Sequence, residues 1–257
     1  MQTVIYDNSL EGFFTAVFEI YEYRISDPDI QPEGAAAGSL FGQTHIVHSH
    51  PEKAGRVIKK LQGQLSREAF VQLYWAYLSE QAGMANVLFR YIQYALRSGQ
   101  SMETDYSHPD VLAIQQTAKK TGREKHRMEA FIRFQRTKDD LYYAIVQPDF
   151  NVLPLISKHF EDRYADQRWL IYDSSRKYGL YYDLAAVSEV KIDFTAAPED
   201  KAGASVILDE QEALYQTLWK DYFSSINIKA RKNMKLHIQH MPRRYWKHLV
   251  EKQPWRT

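Results

Sequence analysis

The chain has 257 residues, with 33 basic and 32 acidic side chains, 9 histidines and no cysteine. That length suits one large domain or two small ones, and a charged fraction of 25% beside a hydrophobic fraction of 44% argues against wholesale disorder. The lack of cysteine excludes a disulfide framework, thiolate zinc ligands, a thiol nucleophile and a cysteine-held iron–sulfur cluster.

No basic segment followed by a long apolar run opens the sequence, and no run of about 18 apolar residues follows. The expectation is a cytoplasmic protein with no membrane contact. Residues 3–6 predict a short strand. Asn8 then stands three positions before Glu11, a capping-box spacing, and apolar residues from Leu10 to Tyr21 recur at helical intervals. Residues 34–38 form a small-residue loop, and residues 44–48 predict a second strand. Pro51 is placed to open a helix running to about Leu61. Helices are expected near 66–80 and 84–97, punctuated by Gly83 and Gly99.

The polar stretch 101–107 predicts a boundary, dividing a helical region 1–103 with short strands from an α+β region 104–257. Beyond it, 109–121 and 123–135 read as two helices with a break at Gly122. A strand at 141–146 and a helix at 153–164 follow. Strands at 169–172, 180–182 and 187–194 come next, with Gly179 placed for a tight reversal. Asp209 and Glu212 repeat the capping-box spacing before a helix to Ile226, and the tail reads as two short helices broken at Pro242. The fold class is α+β: mostly helical, with a small, mainly antiparallel sheet in the second half and a basic helical tail.

Charge is unevenly placed. Residues 119–138 hold eight Lys/Arg against Glu124 and Glu129, a net +6, and residues 227–257 hold nine against Glu251, a net +8. The remainder of the chain is therefore −13. A positive surface confined to two segments favours an anionic partner, with nucleic acid the first candidate. On a helix, Arg123, His126, Arg127 and Arg133 fall within an arc of about 120°, opposite Met128 and Ile132. Such a stripe can grip phosphates, or simply face water. Arg163 and Arg176 stand among aromatics near strand ends, where an arginine and a ring can hold a phosphate and a stacked base. In the tail, Arg231 and Lys232 belong to the basic stretch 227–251, whose densest basic-aromatic cluster, 241–246, holds Arg243, Arg244 and Tyr245.

His45, His48 and His50 are close in sequence, but on a strand His45 and His48 face opposite ways, so no metal site is assigned. No phosphate loop, dinucleotide fingerprint, zinc-protease helix or nucleophile elbow occurs. No cofactor and no catalytic residue is assigned. Asp173 and Asp183 are acids that could act as general bases only if a suitable geometry surrounds them.

Three motifs together carry a resemblance. K-H-R-M-E-A-F-I-R-F at Lys125–Phe134 is the first. F-E-D-R-Y at 160–164 with W-L-I-Y-D-S-S-R at 169–176 is the second. A-R-K-N at 230–233 with M-P-R-R-Y-W-K-H-L-V-E at 241–251 is the third. They resemble the bacterial family labelled "probable DNA metabolism protein", whose C-terminal part is a domain of unknown function found fused to some uracil-DNA-glycosylase-like proteins. The opening E-G-F-F-T-A-V-F-E also fits. Members tend to be encoded beside a DNA-repair radical-SAM protein. The resemblance implies a DNA-repair setting and a radical-SAM protein partner, and brings no reaction or catalytic residue. The expectation is an accessory DNA-binding protein in DNA repair or modification. Two alternatives stand beside it: an enzyme acting on a damaged base or sugar in DNA, and a scaffold that binds only the partner protein.

Overall fold

The computed structural model of the protein describes residues 2–34, 43–191 and 238–252. The α+β class holds. The chain separates into two compact units, Met1–Gly122 and Arg123–Thr257.

The first unit is built on a three-stranded parallel sheet. β1 (Gln2–Tyr6) lies in the middle, with β2 (Pro28–Pro32) on one side and β3 (Gln43–Ile46) on the other. Between β1 and β2 runs α1 (Leu10–Glu22), the crossover that a parallel pair requires. The sequence reading missed β2 because prolines flank it. Proline lacks a ladder donor, but an edge strand tolerates that loss, and β2 is at the edge. Helix α1 is capped by Ser9 rather than Asn8. The Ser9 hydroxyl accepts from the Gly12 amide at 2.8 Å, while Asn8 takes a left-handed backbone, φ 63°, which asparagine tolerates better than most residues.

Helices α2 (Pro51–Gln62), α3 (Arg67–Tyr77) and α4 (Met84–Ser98) complete the core of the first unit around Phe13, Phe14, Leu61, Leu73, Leu88 and Ile92. His45 is engaged by an acid of α1. Its Nε2 lies 2.7 Å from Glu19, and Lys53 donates to the same carboxylate at 2.9 Å. Burial alone would raise the Glu19 pKa, but these hydrogen bonds and the positive charge hold it below the ordinary range.

The stretch expected as a boundary is a 3₁₀ turn, Gly99–Thr104, tied into the first unit. Met102 is buried, and the Glu103 carboxylate accepts both the Ser66 amide and the Ser66 hydroxyl at 2.6 Å. The expected break at Gly122 is also absent, for α5 runs unbroken over Pro109–Phe131. Gly122 has a packing reason instead. A Cβ there would lie 2.7 Å from the Trp75 ring.

The second unit holds a five-stranded sheet in the order β4-β5-β6-β7-β8, formed by Gln135–Arg136, Tyr142–Val146, Trp169–Asp173, Tyr178–Tyr182 and Val187–Val190. Three of its pairings are antiparallel. β5 and β6 are parallel, joined by the crossover helix α6 (Leu153–Arg163). The sheet is therefore mixed, and the parallel sheet of the first unit was not anticipated. Trp169, Ile171, Leu153, Ile156 and Phe160 fill the second core, joined by Met128 and Ile132 of α5 and by Tyr245 of the tail. Gly179 lies within β7 rather than at the reversal, and a Cβ there would meet the Ile171 carbonyl at 2.8 Å. The reversal is at 174–177, where Lys177 has φ 57°.

In the described tail, the helical stretch expected after Pro242 consists of two 3₁₀ helices, Arg243–His248 and Val250–Lys252. The helix expected over 209–226 and the basic residues 227–237 lie outside the described residues. Among the described residues, no helix is long and apolar enough to cross a membrane.

Gly122→Ala tests the packing of α5. Alanine ordinarily favours a helix interior by about 1 kcal/mol over glycine. Here the added methyl must displace Trp75, and overpacking costs about 1–3 kcal/mol. The expected outcome in urea denaturation is a lower midpoint, not the usual gain.

Candidate nucleic-acid interface

The second unit closes around a buried acid. Glu124, on α5, is 1% exposed. The Tyr245 hydroxyl donates to its Oε2, Arg244 reaches the same oxygen at 3.2 Å and Arg127 approaches it at 3.7 Å. The Asp149 amide donates to its Oε1 at 2.9 Å. A charge this deep is tolerated only when paired and hydrogen-bonded. Tyr245 is itself a core side chain, 2% exposed, its ring 5.6 Å from that of Phe131. Burial, and then the neighbouring Glu124, push its hydroxyl pKa well above the ordinary tyrosine value. The Arg244 guanidinium covers the Tyr245 ring at 4.5 Å and pairs with Asp149 at 2.8 Å.

A second pair fastens the same two segments. Arg133 donates to the buried side chain of Glu251 at 3.1 Å, and also to the carbonyls of Ala130 and Ile132 near the end of α5. The described parts of the two basic segments are thus side by side, joined through Glu124 and Glu251.

Beside this clamp is a groove of about 780 Å³. Arg133, Arg136, Arg163, His159 and the acid Glu129 contribute its charged or ionisable groups, and Phe134, Tyr142, Phe160 and Tyr164 contribute rings. Phe160 and Tyr164 are stacked at 6.0 Å with their planes 8° apart, and Phe134 meets Tyr164 edge-on at 5.3 Å. Arg163 is exposed, with its guanidinium 5.8 Å from the Tyr164 ring centre. Arg136 is held by Asp140, its Nε donating at 2.9 Å. Such a site can accept an anion on Arg163 and a flat apolar group on its rings.

The structure sorts the residues singled out from sequence into three groups. Arg123, His126 and Arg243 are exposed, with Arg243 5.8 Å from the Trp246 ring. Arg163 and Arg133 both line the groove, but Arg133 is also engaged within the unit through Glu251. Arg127, Arg176, Arg244 and Tyr245 are engaged within the unit. Arg176 pairs with Asp173 at 2.8 Å and donates to the Pro148 and Asp149 carbonyls, so it braces two loops. Arg231 and Lys232 lie outside the described residues.

Asp173 is fully buried and also accepts the amides of Ser175 and Arg176. Asp183 accepts the amides of Ala185 and Ala186, which hold its carboxyl pKa below the ordinary range. Both acids serve turns here. Trp246 is half-buried and donates to the Met241 carbonyl at 3.0 Å.

Sequence reasoning passed over Arg136, His159 and above all Glu124. The last had a usable signal. Glu124, Met128 and Ile132 recur every four residues, which places the acid on the apolar stripe of α5.

Residues 82–251 match the family described as DUF4130, a domain of unknown function. The chain belongs to the DUF4130 family. The family region extends from near the start of α4 to Glu251, so the clamp and the groove-lining residues all fall inside it. No curated protein matches the chain.

The clamp in this DUF4130 chain separates two adjacent arginines. Arg244→Ala leaves Glu124 with fewer donors, and exposing such a deficit costs about 1–3 kcal/mol. Arg243→Ala removes only an exposed cation. The expected outcome in thermal denaturation is a clear drop in midpoint for Arg244→Ala and almost none for Arg243→Ala.

Proposed function

We propose that the protein is an accessory DNA-binding component of DNA repair or modification, acting with a radical-SAM protein partner. The observation that carries the DNA-binding part is the groove lined by Arg133, Arg136, Arg163 and Glu129 together with aromatic rings, in which Arg163 lies over the Tyr164 ring. Exposed Arg123 and Arg243 add positive charge on the same unit. Phosphates are recognised by such cations, and arginine suits them because its planar fork donates two parallel hydrogen bonds. The repair setting and the partner rest on the resemblance of three motifs to the DNA metabolism family. The placement of Asp173 and Asp183 in turns weighs against an enzyme that uses either as its base.

Titration of labelled DNA with the full chain at several salt concentrations tests the reading. Affinity is expected to fall steeply with salt, because each neutralised phosphate contributes a log–log slope of about −0.7 to −0.9. Replacing Arg123 and Arg243 together by Ala is expected to flatten that slope and leave the thermal midpoint unchanged. Partner co-purification without any DNA binding would favour the protein-only scaffold and overturn the proposal.

A further inference from the structure

We infer that the groove formed around the end of α5, strands β4 and β5, and helix α6 takes an unpaired nucleotide rather than duplex DNA. The inference rests on the DNA-binding reading and specifies what is bound.

Three observations point this way. The first is shape. Duplex sequence is commonly read by a helix or two-stranded ribbon that enters a DNA groove. The basic half of α5 is not free for that role. The tail covers part of it, through Arg244 and Tyr245 at Glu124 and through Tyr245 against Phe131. The exposed Arg163 instead borders a hollow of about 780 Å³, within the size range of small-ligand sites.

The second is the lining. A base out of its stack needs a flat apolar partner. Tyr164 is half-buried and is positioned by two other rings, Phe160 stacked with it and Phe134 on edge. A ring already fixed by its neighbours loses little freedom when a base settles on it.

The third is charge. Among the described residues no carboxylate pairs with Arg163, and its guanidinium lies over the Tyr164 ring, 5.8 Å from its centre. A nucleotide presents its base and its phosphate close together, and this pairing of ring and cation matches that arrangement.

The same chemistry could come from a strand or from a free mononucleotide. The test uses the full chain and fluorescence anisotropy with a labelled thymidine oligonucleotide, and has three further arms. They are the same strand annealed to its complement, a strand of equal length with abasic central positions, and competition by thymidine monophosphate.

The single strand is expected to bind at least about tenfold tighter than the duplex. The abasic strand should lose about fivefold or more, since each stacked base is worth about that much or more. Tyr164→Leu should lose a similar factor while Tyr164→Phe retains binding, with melting curves confirming that both fold. Arg163→Gln should weaken binding and flatten the salt dependence by about one phosphate.

Equal binding of duplex and single strand overturns the inference and leaves the DNA reading intact. Retained affinity in the abasic strand, or in a folded Tyr164→Leu chain, also overturns it. Competition by the mononucleotide as strong as by the strand assigns the groove to a small molecule and overturns it too. Failure to bind any DNA overturns both.

Discussion

Burying a carboxylate without a partner costs several kcal/mol, and Glu124 obliges much of the second unit to answer that cost. A tyrosine from the tail, two arginines and a loop amide converge on it. Its neighbours are therefore constrained as well. Tyr245 must be in the core for its hydroxyl to reach the acid, and the loop at Asp149 must turn its amide inward. Arg176 holds the adjacent Pro148 and Asp149 carbonyls, so the turn between β6 and β7 is drawn into the same arrangement. Hydrophobic packing alone would allow the tail to slide along α5. Directional bonds to Glu124 and Glu251 fix where it stops.

This constraint also changes the meaning of the charge count. The two basic segments contain three acids, Glu124, Glu129 and Glu251. Glu129 is taken by Lys125, Glu124 by Arg127 and Arg244, and Glu251 by Arg133. Cations that the sequence presents as one positive patch are thus divided between holding the unit together and facing solvent. Of the neighbours Arg243 and Arg244, both exposed, only Arg244 also holds Glu124 and Asp149. The rings divide in the same way. Tyr245 is consumed by the core, while Tyr164 remains at the edge of the groove.

Much of the architecture was legible in the sequence, because it is encoded locally. Helices α2 and α6 and strands β5 and β6 follow periodicity and proline placement to within a few residues. What was not legible depends on distant partners. β2 is a strand only because β1 accepts it. Gly122 looks like a helix break until Trp75 lies against it. The site was readable in part: the arginines were visible as a class, but which of them stay in water depends on carboxylates elsewhere. Asp173 looked like a possible base and is instead enclosed by its own turn.

The clamp also bears on how the second unit comes into being. Its fastening contacts join positions 118 to 121 residues apart. Closing so long a loop is entropically uphill before any contact repays it, and non-local contacts of this kind slow folding. During synthesis α5 emerges well before Tyr245, Leu249 and Val250, which are buried in the finished unit. Until they arrive, Glu124 must remain solvated and Phe131 lacks its ring partner. The second unit is thus assembled from its two ends. A nascent chain halted between residues 183 and 243 would carry the buried residues of β5, α6, β6 and β7 and none of the tail side chains that fasten them.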